Sequence, residues 1–100
     1  MKIPKRIKIG GHWVGVDITD RVLRSGKQKI VGRADYAHRE ICLCTKVRGK
    51  RLKGSRVGET FLHEILHLVY DDMGFEQDES MVGRMSVGLY AVLHNNKLRF

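Results

Sequence analysis

Residues 61–70 of the chain read Phe-Leu-His-Glu-Ile-Leu-His-Leu-Val-Tyr and carry two histidines within a largely apolar segment. Apolar residues recur here and on both sides at helical spacing, which predicts a largely buried helix from about Ser55 to Met73. Met73 belongs to the apolar stripe of this helix. Ser55 is a suitable N-cap, and Gly74 is a suitable residue directly after the C-terminal end.

The predicted helix carries the pattern His63-Glu64-x-x-His67. Positions four apart lie on one helix face, about 6 Å apart along the axis, so both imidazoles can reach one ion. Glu64 lies on the flank of that face, where it can act as general base on a water bound to the ion. Two imidazoles, a carboxylate and one open position suit zinc, and we therefore expect one Zn²⁺ per chain.

A third metal ligand must come from the residues after this helix. The candidates are Glu76, Asp78 and Glu79. We favour Glu79, because a ligand on a second helix is held more rigidly than one in the turn. Gly83 lies one turn further along, and a glycine there would let the two helices approach closely. Tyr90 is a candidate oxyanion stabiliser, the alternative being a tyrosine whose ring lies in the core.

The remaining sequence predicts strands in the N-terminal half and one more helix. Residues 7–18 roughly alternate in polarity around a Gly10-Gly11 hairpin turn, and residues 30–36 and 39–45 are further candidate strands. The second helix is predicted over about residues 78–94, with its apolar face formed by Met81, Met85, Leu89 and Val92/Leu93. We expect a single α+β domain spanning residues 1–100. In it, a small antiparallel or mixed sheet packs on the histidine-bearing helix and on a C-terminal helix that carries a glutamate ligand.

Composition and charge limit the possible classes of protein. A hydrophobic fraction of 42% is typical of a globular chain, and neither a secretory signal nor a membrane-spanning run is recognisable. We therefore expect a cytoplasmic protein without membrane contact. The net charge is +8, and residues 46–56 contain six cations that permit contact with nucleic acid. Because no nucleic-acid recognition motif accompanies them, we expect a solvated loop there. The expected partner is a peptide or protein substrate, which follows from the His-Glu-x-x-His pattern.

Three segments of the C-terminal half resemble a known family. Residues 60–67, 79–82 and 88–93 are similar to the minimal gluzincin-type metallopeptidases, the short, phage-type relatives of the larger His-Glu-x-x-His zinc peptidases. The resemblance implies that His63 and His67 are zinc ligands, that Glu64 is the general base and that Glu79 is the third ligand. It also implies that substrate pairs with an edge strand above the helix, for which residues 39–45 are the candidate.

These observations lead to one principal hypothesis and two others. The principal hypothesis is a zinc-dependent peptidase in which a metal-activated water attacks the peptide bond and Glu64 is the general base. The first alternative is an inactive, zinc-stabilised binding or regulatory module that contacts nucleic acid through residues 46–56. The second is a blocked state in which residues 96–100 cover the metal. Substrate identity, cleavage preference and oligomeric state do not follow from the sequence.

Overall fold

The computed structural model describes residues 2–98 and has an α+β architecture, with a small mixed sheet and two helices. The two helices are α1 (Gly54–Met73) and α2 (Glu79–Asn95). Neither of these described helices is long and apolar enough to cross a membrane. The strands are β1 (Arg6–Ile9), β2 (His12–Thr19), β3 (Leu23–Ser25), β4 (Gln28–Ile30), β5 (Gly32–Asp35), β6 (Glu40–Cys44), β7 (Lys46–Val47) and β8 (Lys50–Arg51).

The main sheet has four strands in the order β1-β2-β6-β5. Gly10 and Gly11 have φ values of 58° and 83°, as a tight hairpin between β1 and β2 requires, and this turn was predicted. β6 runs parallel to β2 and antiparallel to β5. The expectation that residues 39–45 form an edge strand is therefore wrong, because β6 is paired on both sides. The two edge strands of the sheet are β1 and β5, and β5 is the one that packs on α1.

Two small hairpins lie outside the main sheet. β3 pairs with β4, and β7 pairs with β8, each in antiparallel register. Neither hairpin was predicted from the sequence. These strands have two or three residues each, too few to show an alternation of polarity. The hairpin formed by β7 and β8 contains much of the basic segment, and its Arg48-Gly49 turn has positive φ at both residues.

The hydrophobic core lies between α1 and one face of the sheet. Its fully buried members are Val14, Ile41 and Leu43 from the sheet and Phe61 and Leu68 from the helix. The predicted helix is thus present, and the predicted end is confirmed by Gly74, which is left-handed with φ of 73°.

Two details at the ends of α1 differ from the prediction. The N-cap is Lys53, which makes no side-chain capping hydrogen bond, so the assignment of Ser55 as the cap is wrong. Met73 in the last turn of α1 is 64% exposed. It therefore does not belong to the core.

α2 packs on α1 through a face that the sequence pattern did not indicate. The buried residues of α2 are Val82, Ser86 and Tyr90. The predicted apolar face is instead largely exposed: it comprises Met81, Met85, Leu89 and Val92. The prediction failed because apolar residues occupy most sides of α2, so that its hydrophobic stripe does not identify the side facing α1.

An ion pair joins the end of α1 to the sheet. The Arg39 guanidinium donates to both carboxylate oxygens of Asp72, at 2.7 and 3.0 Å, and to the carbonyl oxygen of Ile9 at 3.2 Å. Arg39 has a φ of 52°, which is uncommon for a non-glycine residue. This bidentate geometry is the strong form of the arginine–carboxylate contact. It holds the β5–β6 connection, the β1–β2 hairpin and α1 together.

Replacing Asp72 by asparagine is expected to lower the Tm at neutral pH but not at strongly acidic pH. The hydrogen bond from Arg39 holds the pKa of Asp72 below its usual value of 3.8. The contribution of the pair is therefore present above that value and is lost as the pH falls through the lower folded-state pKa. Thermal melts of both proteins across the acidic range test this. Asp71→Asn is the matched control, because Asp71 forms no ion pair within residues 2–98. An equal loss of Tm at all pH values would contradict the assignment.

Candidate metal centre and cleft

α1 brings the two predicted histidine ligands onto one face. The rings of His63 and His67 meet edge to face with centroids 4.8 Å apart, and their Nε2 atoms are 3.1 Å apart. His67 is buried and His63 is half-buried, so the pair lies at the boundary between the helix interface and solvent. The four-residue spacing in an uninterrupted helix produces this convergence.

Glu79 completes the cluster from the first residue of α2. Its Oε1 lies 2.7 Å from His63 Nε2 and its Oε2 lies 2.8 Å from His67 Nε2. The other two candidates for the third ligand, Asp78 and Glu76, do not contact the histidines. The carboxylate of Asp78 accepts a hydrogen bond from the backbone N–H of Met81 as the N-cap of α2, and Glu76 is exposed in the preceding turn. His63, His67 and Glu79 therefore form a group that could hold a metal ion.

Gln77, in the turn between the helices, determines which nitrogen of His67 carries a proton. Its amide nitrogen donates to the carbonyl oxygen of His67 at 2.9 Å, because a carbonyl can only accept. The amide oxygen must then face His67 Nδ1, which lies 2.6 Å away and has to be the donor. A neutral His67 consequently presents the lone pair of Nε2 to the cluster.

The facing atoms of the cluster are Nε2 of each histidine and the two carboxylate oxygens of Glu79. All four are acceptors when the histidines are neutral ligands. Oε2 of Glu79 and Nε2 of His67 lie within 2.8 Å of each other. This contact needs either a second proton on His67 or a cation. Ligand atoms of a tetrahedral zinc site lie roughly 3.3 Å apart. The closest separations in the cluster, 2.7, 2.8 and 3.1 Å, are slightly shorter. Its two imidazoles and one carboxylate are a donor set that suits zinc.

Glu64 lies beside the cluster and is the buried carboxylate of the cleft. It is 7% exposed and forms no hydrogen bond or ion pair with another of the described residues. Burial raises the pKa of Glu64 from its usual 4.5 to about 7. His67 opposes this shift, and the negative charge of Glu79 adds to it. A carboxyl group with a pKa near neutrality can both take up and release a proton at physiological pH.

Gly32 is the reason that β5 can lie so close to Glu64. A Cβ atom at this position would lie 2.4 Å from Thr60 Cγ2 and 3.0 Å from Glu64 Oε2. Only a glycine therefore fits between β5 and α1. Gly83, which was expected to allow close approach of the helices, has no such constraint. A Cβ there would lie 3.9 Å from His63 Cε1, which is ordinary contact, so that expectation is wrong.

A cleft of about 450 Å³ opens over Glu64, His63 and Glu79. It is bounded by α1, α2 and the edge of the sheet, and its other lining residues are Lys29, Ile30, Val31, Gly32, Arg56, Glu59, Thr60, Gly83, Ser86 and Val87. The volume lies within the range of ligand pockets.

Within the described residues β5 has no strand on its outer side, and Gly32 at its start lines the cleft. The N–H of Cys44 bonds to the carbonyl of Val31, so residues 31, 33 and 35 exchange hydrogen bonds with β6. In an antiparallel pair, the intervening residues direct their N–H and C=O groups to the other side. Gly32 and Ala34 therefore present their backbone groups along the free edge of the sheet.

The other predicted site residues lie away from the cluster or have other contacts. Tyr90 is buried, stacks on His94 at 5.4 Å and does not line the cleft. Its role as an oxyanion stabiliser stays a prediction without a contact to support it. Neither Asp71 nor Asp72 forms a hydrogen bond with His63 or His67 among the described residues. Asp72 pairs with Arg39, and Gln77 occupies the place at His67.

Sequence analysis did not identify Gln77, Gly32 or Tyr36. Tyr36 directly follows β5, and burial raises the pKa of its phenol, as do the negative charges of Glu64, Asp71 and Glu79. It therefore shares the electrostatic environment of the site.

The expected blocking of the metal by residues 96–100 can be compared with the positions of residues 96–98. They follow the far end of the 17-residue α2, about 24 Å from Glu79 along the helix, while residues 99 and 100 lie outside the described residues.

Comparisons with known proteins returned no similar protein: no protein-family model, curated protein or solved structure matches the chain.

Proposed function

We propose that the chain is a minimal gluzincin-type zinc peptidase. The observation that carries the proposal is the convergence of His63, His67 and Glu79 beside Glu64, a buried carboxylate that forms no hydrogen bond or ion pair within residues 2–98. The cluster supplies a metal-binding donor set, and Glu64 supplies a base in the same cleft. A structural zinc site would instead be closed by a fourth protein ligand, and none lies within the cluster among residues 2–98.

The residues of the site divide the chemistry between them. His63, His67 and Glu79 would hold zinc, which when bound polarises a carbonyl group and lowers the pKa of water. Glu64 takes a proton from the attacking water as general base. The same carboxyl group then delivers the proton to the nitrogen of the leaving amine.

The free edge of β5 is the proposed binding site for the substrate backbone. An extended peptide can pair with the N–H and C=O groups of Gly32 and Ala34, as in strand addition at a sheet edge. The side chain of Glu64 lies beside Gly32, so this pairing would bring a peptide bond close to the base.

The proposal is tested by measuring zinc binding and peptide cleavage on the same preparation. The expected result is one zinc per chain and cleavage of an unstructured peptide library. Cleavage should stop on chelation and return when zinc is added back. A protein that binds zinc but cleaves no peptide under any of these conditions would contradict the peptidase proposal.

The exposed cations of residues 46–56 favour the alternative function, a zinc-stabilised module that binds nucleic acid. The cations of residues 46–56 are mostly exposed, and within the described part of the chain only Lys46 among them forms an ion pair, with Asp20. A solvated cluster of this kind would give nucleic-acid binding that weakens steeply with salt. Salt-dependent binding of DNA together with intact zinc binding and no cleavage would favour that alternative.

A further inference from the structure

Gln77 makes two hydrogen bonds to a single residue, His67. The amide oxygen lies 2.6 Å from Nδ1 of the imidazole, and the amide nitrogen lies 2.9 Å from the backbone oxygen of the same histidine. Gln77 itself lies in the exposed turn between the helices, two residues before Glu79, whereas His67 is buried on α1. The side chain therefore reaches back from the turn to the side of the ring opposite the metal cluster.

We propose that Gln77 is a positioning residue for the metal site. It holds His67 in the tautomer with the proton on Nδ1 and fixes the plane of the ring, so that Nε2 is directed between His63 and Glu79. An acceptor at the far nitrogen also makes an imidazole a better metal ligand. The inference rests on the metal site of the proposed function and is independent of peptide hydrolysis.

The two hydrogen bonds separate this role from a purely structural one. The bond from the amide nitrogen to the backbone of His67 can only tie the turn to α1. The bond to Nδ1 acts on the ring. Gln77→Glu keeps an acceptor at Nδ1 and removes the donor to the carbonyl, whereas Gln77→Leu removes both. A structural role predicts similar behaviour of the two variants, and a positioning role predicts different behaviour.

The experiment combines a zinc dissociation constant with a direct observation of the tautomer. Zinc affinity is measured by chelator competition, and the tautomer of His67 is read by nitrogen-15 NMR on the metal-free protein at a pH where the ring is neutral. Gln77→Leu is expected to weaken zinc binding by about 10- to 100-fold and to lose the predominance of the Nδ1–H form. Gln77→Glu should keep that form and bind zinc within about threefold of the wild type or more tightly.

Glu76→Leu is the matched control, since Glu76 is the exposed neighbour of Gln77 and forms no side-chain hydrogen bond with another described residue. It should leave both readouts unchanged. Equal losses of zinc affinity in Gln77→Leu and Gln77→Glu, or a wild-type tautomer in Gln77→Leu, would overturn the proposal. If Gln77→Leu does not fold, a tenfold loss of affinity or a changed tautomer in Gln77→Glu would overturn it equally. Failure of the wild type to bind zinc would contradict the proposed function, while the metal-free tautomer would still test Gln77.

Discussion

Replacing Glu64 by glutamine is expected to abolish peptide hydrolysis while zinc binding is retained. Glutamine has the same shape but can neither accept the proton of the attacking water nor deliver it to the leaving amine. General acid–base groups contribute about 10²- to 10⁴-fold to a rate, and a loss of this size in kcat is the expected result. Zinc affinity should change little, because Glu64 is not one of the proposed ligands, which are His63, His67 and Glu79.

Glu59→Gln is the matched control for this variant. Glu59 also lines the cleft and undergoes the same chemical change, but it lies more than one helical turn before Glu64 and outside the metal cluster. Its turnover should stay close to that of the wild type. Hydrolysis that survives in Glu64→Gln, or is lost equally in both variants, would refute the assignment of Glu64 as the base.

The same Glu64→Gln protein also has an expected stability signature without metal. The folded-state pKa of Glu64 is about 7, above its usual 4.5, so the folded protein holds a proton that the unfolded chain releases between these values. Stability of the metal-free wild type should therefore fall as the pH rises through this window, by about 3 kcal/mol when complete. Glu64→Gln should remove this fall in stability, because the glutamine side chain does not ionise. Urea unfolding at pH 4 and pH 8 should show the variant gaining stability over the wild type only at the higher pH.

The sequence was informative where a pattern is local. The spacing of His63 and His67 within one helix requires no knowledge of the rest of the chain, and α1 brings their rings together as the helix period predicts. Glu79 was favoured because it begins the second helix, and it does contact both histidines. The mixed α+β architecture also followed from local patterns, since a predominantly strand-like half precedes a helical half.

Features that depend on long-range contacts were missed or wrong. The position of β6 inside the sheet results from its parallel pairing with β2, which no local alternation reveals. Gln77 resembles any polar turn residue until the turn places it behind His67. Gly32 appears as an ordinary glycine in a strand, and its role becomes visible only when α1 packs against it. Each of these residues acts through a neighbour distant in sequence, so its role depends on tertiary structure.

Replacing Gly32 by alanine is expected to destabilise the protein by about 1 to 3 kcal/mol and to reduce hydrolysis. The φ of Gly32 lies outside the left-handed region, so the cost is steric. The new Cβ would lie 2.4 Å from the Thr60 methyl carbon and 3.0 Å from Glu64 Oε2. β5 must then move away from α1, which displaces both the base and the proposed substrate edge. Urea unfolding and peptide turnover measure the two effects.

The methyl group of Thr60 provides a stringent check of this explanation. Thr60→Ser removes that methyl but keeps the hydroxyl that donates to the carbonyl of Arg56 at 2.8 Å. In the wild type, Thr60→Ser should lower the stability of the protein slightly, because it removes a packed methyl group. In the Gly32→Ala background, the same substitution should raise the stability, because it relieves the closest contact of the new Cβ. This reversal of sign is a coupling that a double-mutant cycle measures directly.

Gly83→Ala is a control for Gly32→Ala, because the new Cβ meets nothing closer than 3.9 Å. It should be neutral or stabilise the protein by up to about 1 kcal/mol. If the effects of the Gly32 and Thr60 substitutions on the free energy of unfolding are additive, the contact with the Thr60 methyl group is not the cause of the destabilisation by Gly32→Ala.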